Sequence, residues 1–475
     1  MKIFFFSVLL LVFSFNAHPQ VGIGTTNPDQ SAALDVQSTS QGLLPPRLTA
    51  QQRDGIFNPA AGLMIWCSDC GERGQLQVFD GLFWTDAVGN LQSAEGFSNN
   101  QVGQNIDGNN SALFAGTSVA MDLSGNRIIV GSPGGASQVE VFEYDGSIWN
   151  LLGNSFTGPG NTGQAVDISE DGNRIAISAP NDTSNNGSVA IFEWDGNTWN
   201  QLGDKIVAPS GETDTGYGTA VALSGDGSRI IIGYPQFDNG TNSPNNNNGL
   251  VQVFEWDGAT WIKIGNDIIG NAGEVTGTAV DINLDGTRIA ITDSGLERAR
   301  VFVLTSVSTW FGQSLSIGQP GDFGRSLSFN RVGDLLAVST STEDCPGISN
   351  SNCGSVYFFE VEANVQPSST SLSATFTGQR ISGNPGEFLG FDISISANAD
   401  RLIAGGNLAN SEQGIARMFQ LNGTDWNQVG SDILGLAIPD RFGTSVGISG
   451  NGFRAVIGAP ETNGTDQDGY VQVFE

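Results

Sequence analysis

The chain has 475 residues, with 49 Asp and Glu against 19 Lys and Arg and a formal charge of −30. A field of that sign repels nucleic acid and anionic lipid and favours cations or neutral partners such as glycans. The lone histidine, His18, lies at the extreme N-terminus, so the folded body has no Ser-His-Asp or Cys-His catalytic set and no His-based zinc site.

Residues 1–20 read MKIFFFSVLLLVFSFNAHPQ: one Lys, an apolar run, then small and polar residues. This predicts a secretory signal peptide, too short for a spanning helix. No later stretch is apolar enough for membrane insertion. The expected location is therefore secreted or at the cell surface.

Residues 21–95 predict a small β-rich module, with short apolar strands cut by Gly, Pro and Asn turns. A short helix is expected near Thr49 to Ile56, where Thr49 is placed to cap it. The matching residues are Val21-Gly22-Ile23-Gly24-Thr25-Thr26-Asn27-Pro28, Ala33-Leu34-Asp35-Val36 and Gly42-Leu43-Leu44-Pro45-Pro46-Arg47. On these, the segment resembles an N-terminal module of secreted Bacteroidetes proteins related to phage tail-fibre and adhesin head segments. The resemblance implies a β-rich module able to form a homotrimer on a fibre or surface, and no catalysis.

Cys67 stands near Cys70, and Cys345 near Cys353. In an exported chain, two local disulfides are the expectation. A Cys-x-x-Cys pair also serves redox chemistry, but no strand–helix context surrounds this one.

From residue 97 to 475 the chain repeats itself, as in "GQAVDISEDGNRIAISAP" and "GTAVALSGDGSRIIIGYP". The copies open at Gly116, Gly163, Gly218, Gly277, Gly324, Gly390 and Gly443. Each predicts four strands: a small-residue strand, an Asp/Asn-Gly turn, a β-branched strand, a polar loop, a strand ending in Phe-Glu, an Asp-Gly turn and a Trp-bearing strand. Four strands per unit point to a radial propeller. The last copy ends at "GYVQVFE" without its fourth strand, while "NQVGQNIDG" (Asn100 to Gly108) matches "NQVGSDILG" (Asn427 to Gly435). The predicted fold is thus all-β: a seven-bladed propeller closed by an N-terminal strand in its last blade. Such closure removes an aggregation-prone edge.

Phe442-Gly443 with Gly458-Ala459-Pro460, Phe323-Gly324 and Ala179-Pro180 are landmarks of the FG-GAP repeat. The region resembles the seven-bladed propeller of integrin α-subunits and bacterial relatives. That resemblance implies extracellular recognition, cell adhesion and, often, calcium in inter-strand loops. The candidate calcium ligands are Asp167, Ser169 and Asp171, and Asp281, Asn283 and Asp285. Both sets are weak. Ile175 and Ile289 stand where a final carboxylate belongs, beside Arg174 and Arg288. The alternative is a β-turn in which these oxygens accept local N–H groups. The recurring Arg127, Arg174, Arg229, Arg288, Arg401 and Arg454 read as structural, pairing with an acid of a neighbouring blade.

The functional expectation is a non-catalytic binding or adhesion protein that presents one propeller face to a glycan or extracellular protein. The alternatives are an extracellular carbohydrate-active enzyme using carboxylates and a passive component of a surface fibre. Recognition is expected in the variable loops, above all Gln236 to Gly249 and the cysteine-braced Glu343 to Gly354.

Overall fold

The computed structural model describes residues 97–475 apart from 109–113, 183–185, 211–215, 239–245, 307–308, 316–321, 363–371 and 461–467. Before them it describes 21–23, 34–36, 38, 40, 43–49, 52–53, 56, 59–60, 62–68, 70, 74–79 and 84–86. Residues 1–20, with His18 and the expected signal peptide, most of the first resemblance motif and the middle of the loop at 236–249 lie outside the described residues. The chain divides into two compact units, 1–92 and 93–475.

In the first unit, Val21–Ile23 pairs in parallel with Leu34–Val36. Arg47–Leu48, Met64–Cys67, Gln75–Phe79 and Trp84–Asp86 form a four-stranded sheet in that order. Gln52 N–H donates to Thr49 Oγ1 and Thr49 N–H to Gln52 Oε1, at 3.1 and 3.0 Å. This reciprocal capping box starts a helical turn at Gln52 and Arg53. The Arg53 side chain is buried and donates to Gln77 Oε1 at 2.7 Å. Cys67 and Cys70 are disulfide-bonded.

The second unit is a ring of seven antiparallel sheets. Their inner strands are Ser118–Met121, Val166–Ile168, Ala220–Leu223, Thr276–Ile282, Leu327–Phe329, Asp392–Ile395 and Ser445–Ile448, in blades 1 to 7. Each inner strand neighbours the next, and the seventh neighbours the first. Every leading glycine has φ between 83 and 91°, a left-handed conformation that other residues adopt only at a cost. That requirement is why Gly opens every repeat.

Alternation along the strands sends apolar side chains to both sheet faces, so the core consists of seven clusters, one in each gap between blades. Between blades 1 and 2, for example, Ile129, Val139 and Val141 pack on Val166, Ile168, Ile175 and Ile177. Fully burying each such side chain contributes on the order of 1.5–3 kcal/mol.

The ring closes where the sequence predicts. Ile106 pairs with Val471 and Asp107 with Tyr470, and Gln101 bridges Phe474. Val102 N–H donates to Val473 O at 2.8 Å, and Glu475 N–H to Asn100 O at 3.0 Å. Val102, Ile106, Val471 and Val473 are buried.

The fourth strands differ from one smooth element per blade. In blades 1 and 2 each is two short pieces, Trp149–Leu151 with Phe156–Thr157 and Trp199–Gln201 with Ile206–Val207. Gly153 and Gly203, both at positive φ, separate the pieces.

Candidate functional site: a blind axial well and its loop face

Strand direction gives the propeller two unlike faces. Inner strands start at one face, where the loops between second and third strands also lie. We call this the loop face. The opposite turn face carries the short turns after the inner strands and the Asp-Gly hairpins.

On the turn face, one main-chain hydrogen bond links each blade to the next. Leu123 N–H donates to Glu170 O, Glu170 to Gly225, Gly225 to Leu284, Leu284 to Arg331, Arg331 to Ala397, Ala397 to Gly450 and Gly450 back to Leu123, at 2.8–3.2 Å. All seven residues hold the same repeat position. Across this collar, Arg331 makes a bidentate ion pair with Glu170, Nε to Oε1 and Nη2 to Oε2 both at 3.0 Å. Burial pushes the Glu170 carboxyl up, opposed by Arg331. Leu284 and Leu123 side chains occupy the room left by Gly225 and Gly450, where a Cβ would meet their methyl groups at 2.4 and 2.0 Å. The turn-face end of the axis is thereby closed.

The loop-face end is open. Its rim is the residue after each leading glycine: Thr117, Gln164, Thr219, Thr278, Arg325, Phe391 and Thr444. Beside blades 7, 1 and 2 it widens into a cavity of about 560 Å3, lined by Phe114, Thr117, Pro159, Gln164 and Thr444 among others. Opposite, the exposed Arg325 lies 3.9 Å from the centre of the Phe391 ring, a cation–π contact. Around the rim stand dissimilar loops. In blade 5, Cys345 and Cys353 are disulfide-bonded. Asp344 accepts the N–H groups of Asn350, Ser351 and Asn352, and Ile348 is exposed. Before blade 7, Leu436 and Ile438 are each 62% exposed.

Asp167, Asp281 and Asp392 stand on the inner strands of blades 2, 4 and 6. Their Oδ2 atoms accept the N–H of the next blade's inner strand: Leu223 at 2.7 Å, Phe329 at 2.6 Å and Val446 at 2.8 Å. An inner strand has a free edge toward the axis, and these carboxylates satisfy part of it. Burial pushes Asp167 up to about 6 and Asp281 to about 7, against the pull of those N–H groups. The charge of Asp167 adds to the rise of Asp281.

The predicted calcium ligands therefore divide. Asp167 and Asp281 reach to the neighbouring blade. Ser169 Oγ donates to Asp171 Oδ1 at 2.6 Å and accepts Arg174 N–H. Asn283 Oδ1 accepts Arg288 N–H, and Asp285 Oδ1 accepts Thr287 N–H. This donor set does not fit a calcium loop, because its first carboxylate is committed to the next blade and Ile175 or Ile289 replaces its last. Among the described residues, no group of three His, Cys, Asp or Glu is arranged to hold a metal.

The recurring arginines do bridge blades, but Arg127, Arg174 and Arg229 find their hydrogen-bonded acid in their own sheet. Arg127, Arg174 and Arg229 pair with Glu143, Glu193 and Glu255 of their own third strands. Each then donates to a turn-glycine carbonyl of the next blade: Gly172, Gly227 and Gly286. The acid is local because it sits directly opposite in the sheet register. Glu170, Arg331, Asp392 and Arg325 escape the sequence reading. For Glu170, Arg331 and Asp392 the available signal was a charge in a repeat column otherwise filled by small or apolar residues, and for Arg325 a charge in a column of mostly uncharged polar ones.

Residues 22–102 match the family "Phage tail like trimerisation region". The match covers the first unit and runs into the strand that closes blade 7. The chain is similar in fold to U3-55K: TM-score 0.51 and 12% identity, covering 80% of this chain and 100% of that one. It is likewise similar to hydrazine synthase of Kuenenia stuttgartiensis: TM-score 0.50 and 12% identity, covering 76% and 96%. At these identities the likeness concerns the fold alone. No curated protein matches this chain.

Proposed function

We propose that this chain is an exported, non-catalytic recognition protein. Its N-terminal module gathers three copies, and each copy presents the loop face of an FG-GAP-like propeller to an extracellular glycan or protein. The observation that carries this reading is the asymmetry of the two faces. The turn face carries a closed collar and short turns after the inner strands, and its one long connection is residues 362–373 of blade 5. The loop face surrounds an open well with dissimilar loops, exposed Ile348, Leu436 and Ile438, and the Arg325–Phe391 pair. Loops that vary on a rigid ring are suited to recognition. The match to a trimerisation region supports multivalent display, which raises avidity without new contacts.

A second reading, an extracellular carbohydrate-active enzyme, draws on Asp167 and Asp281, whose raised carboxyls fall in the range of general acids. We favour recognition because both carboxylates already hold a neighbouring strand.

The test is a glycan and cell-surface binding screen of the full chain, with calcium and with chelator, alongside sedimentation analysis. Saturable binding without glycan turnover, by a trimer, is the expected result. Turnover abolished by Asp281→Asn would establish the enzyme instead. Trimers without binding or turnover would leave a passive fibre component.

A further inference from the structure

A second cavity lies at the turn face, away from the well. It occupies about 590 Å3 between blades 1 and 2 and is lined by Arg127, Glu143, Asp171, Asn173, Glu193 and Trp194, among others. Arg127 bonds Glu143 Oε1 through Nε at 2.9 Å and Asn173 Oδ1 through Nη1 at 2.7 Å. Arg174 holds Glu193 in the same way, again through Oε1. Both glutamates keep Oε2 as an acceptor, and their side chains are 45% and 43% exposed.

The repeat places a related set at two adjoining junctions, with Ser228 in place of Asn173 at one and Ser124 in place of Asp171 at the other. Between blades 2 and 3 stand Arg174, Glu193, Asp226, Glu255 and Trp256. Between blades 7 and 1 stand Arg454, Glu475, Asn126, Glu143 and Tyr144. At that last junction Arg454 bonds Glu475 and Asn126, and its guanidinium also lies over the Tyr144 ring, 4.7 Å from the centre. The arginine thus sits on the ring at one of the three junctions, whereas Arg127 and Arg174 hold their glutamates at the other two. Over Trp194 and Trp256 no cation lies among the described residues. An indole is the stronger cation–π acceptor.

The set is not required for packing. Between blades 3 and 4 the corresponding residues beside Arg229 and Glu255 are Asp285, Thr287, Val303 and Leu304, with neither ring nor acid on the third strand of blade 4. The apolar cluster there is nevertheless complete.

We propose that the notches at Trp194 and Trp256 bind guanidinium or alkylammonium side chains of a basic partner protein. The cation lies on the indole face, with the free Oε2 atoms of the flanking glutamates as acceptors. The charge of −30 steers such a partner toward the ring. This inference is independent of what the loop face binds.

The test uses the full chain labelled with 5-fluorotryptophan, titrated with N-acetyl-arginine methylamide and followed by 19F NMR. The Trp194 and Trp256 resonances, assigned by Trp→Phe substitution one at a time, should shift saturably while the other tryptophans stay in place. A hexa-arginine peptide should bind the Trp194→Ala/Trp256→Ala variant at least tenfold more weakly than the parent. That substitution leaves the net charge unchanged, so diffuse attraction cannot account for a loss. Unmoved Trp194 and Trp256 resonances would overturn the proposal, even if the alanine variant fails to fold. Equal shifts with neutral maltohexaose would overturn the cationic class.

Discussion

At the scale of single residues, the carboxylates of the inner strands show how one repeat position takes on different work. Asp167 and Asp281 stand where other copies carry Ala120, Ala222, Ser328, Ser394 and Gly447. Ser328 also serves the next blade, its Oγ accepting Ile395 N–H at 3.2 Å, whereas Ala and Gly offer no side-chain acceptor; an aspartate offers a carboxylate, which must then be largely removed from water. Burial holds the folded carboxyls at about 6 and about 7, while the unfolded chain titrates near 3.9. Between roughly pH 4 and pH 7, the folded protein therefore keeps protons that the unfolded chain has released. Their contribution to stability is complete below that window, declines as pH rises through it and is flat above. Carboxylates held low by arginine, such as Glu387 and Asp432 beside Arg417, act in the opposite sense, so the informative quantity is a difference. At about 1.4 kcal/mol per pKa unit, the two aspartates together account for several kcal/mol at most. Thermal melts at pH 4.5 to 8 should show the Asp167→Asn/Asp281→Asn variant gaining on the parent as pH rises. A constant gap between the two would place the pH dependence elsewhere.

At the scale of elements, the Trp-bearing fourth strands hold neighbouring blades together at their outer rims. Trp149, Trp199, Trp261 and Trp310 donate Nε1–H to Val102, Leu152, Leu202 and Ile264 carbonyls of the preceding blade, at 2.8–3.3 Å. The ring needs a gap beside that carbonyl, and glycine supplies it. A Cβ on Gly103 would lie 2.7 Å from Trp149 Cδ1. Trp426 breaks the pattern: it stacks on Phe358 at 4.5 Å, and its buried Nε1 has no hydrogen-bond partner. Trp149→Phe should therefore cost about 1–2 kcal/mol through the orphaned Val102 carbonyl and the lost bond. Trp426→Phe loses ring area but no hydrogen bond and relieves a buried unpaired donor. Both variants lose the same ring area, so urea unfolding should rank Trp149→Phe, which also loses the indole hydrogen bond, as the more destabilising. The opposite rank would mean that the indole bond does not join the blades.

At the scale of the whole molecule, stability depends on joining residues more than 360 positions apart. Val473 and Val471 pack with Val102, Ile106 and Trp149 between blades 7 and 1. A charge buried there without a partner is costly. Val473→Asp should lower stability by about 3 kcal/mol or more. Limited proteolysis should then cut first within residues 97–108, because the borrowed strand is held in blade 7 by its pairing with the last strand. Cleavage spread evenly through the repeats would show that the ring does not open at this seam.

The fold class, the number of blades and the borrowed strand were legible in the chain itself. Each rests on local chemistry: glycines at positive φ, Asp-Gly hairpins, alternating apolar residues and a fourth strand found at the wrong end. The collar was not legible. Its seven positions hold Leu, Glu, Gly, Leu, Arg, Ala and Gly, and a main-chain bond leaves no side-chain signature. Nor could sequence spacing show that Glu170 meets Arg331, that Asp167 serves Leu223 rather than Ser169 and Asp171, or that Arg174 finds its acid in its own sheet. Those pairings are decided by the rotation between blades and by strand register, which exist only once the ring has closed.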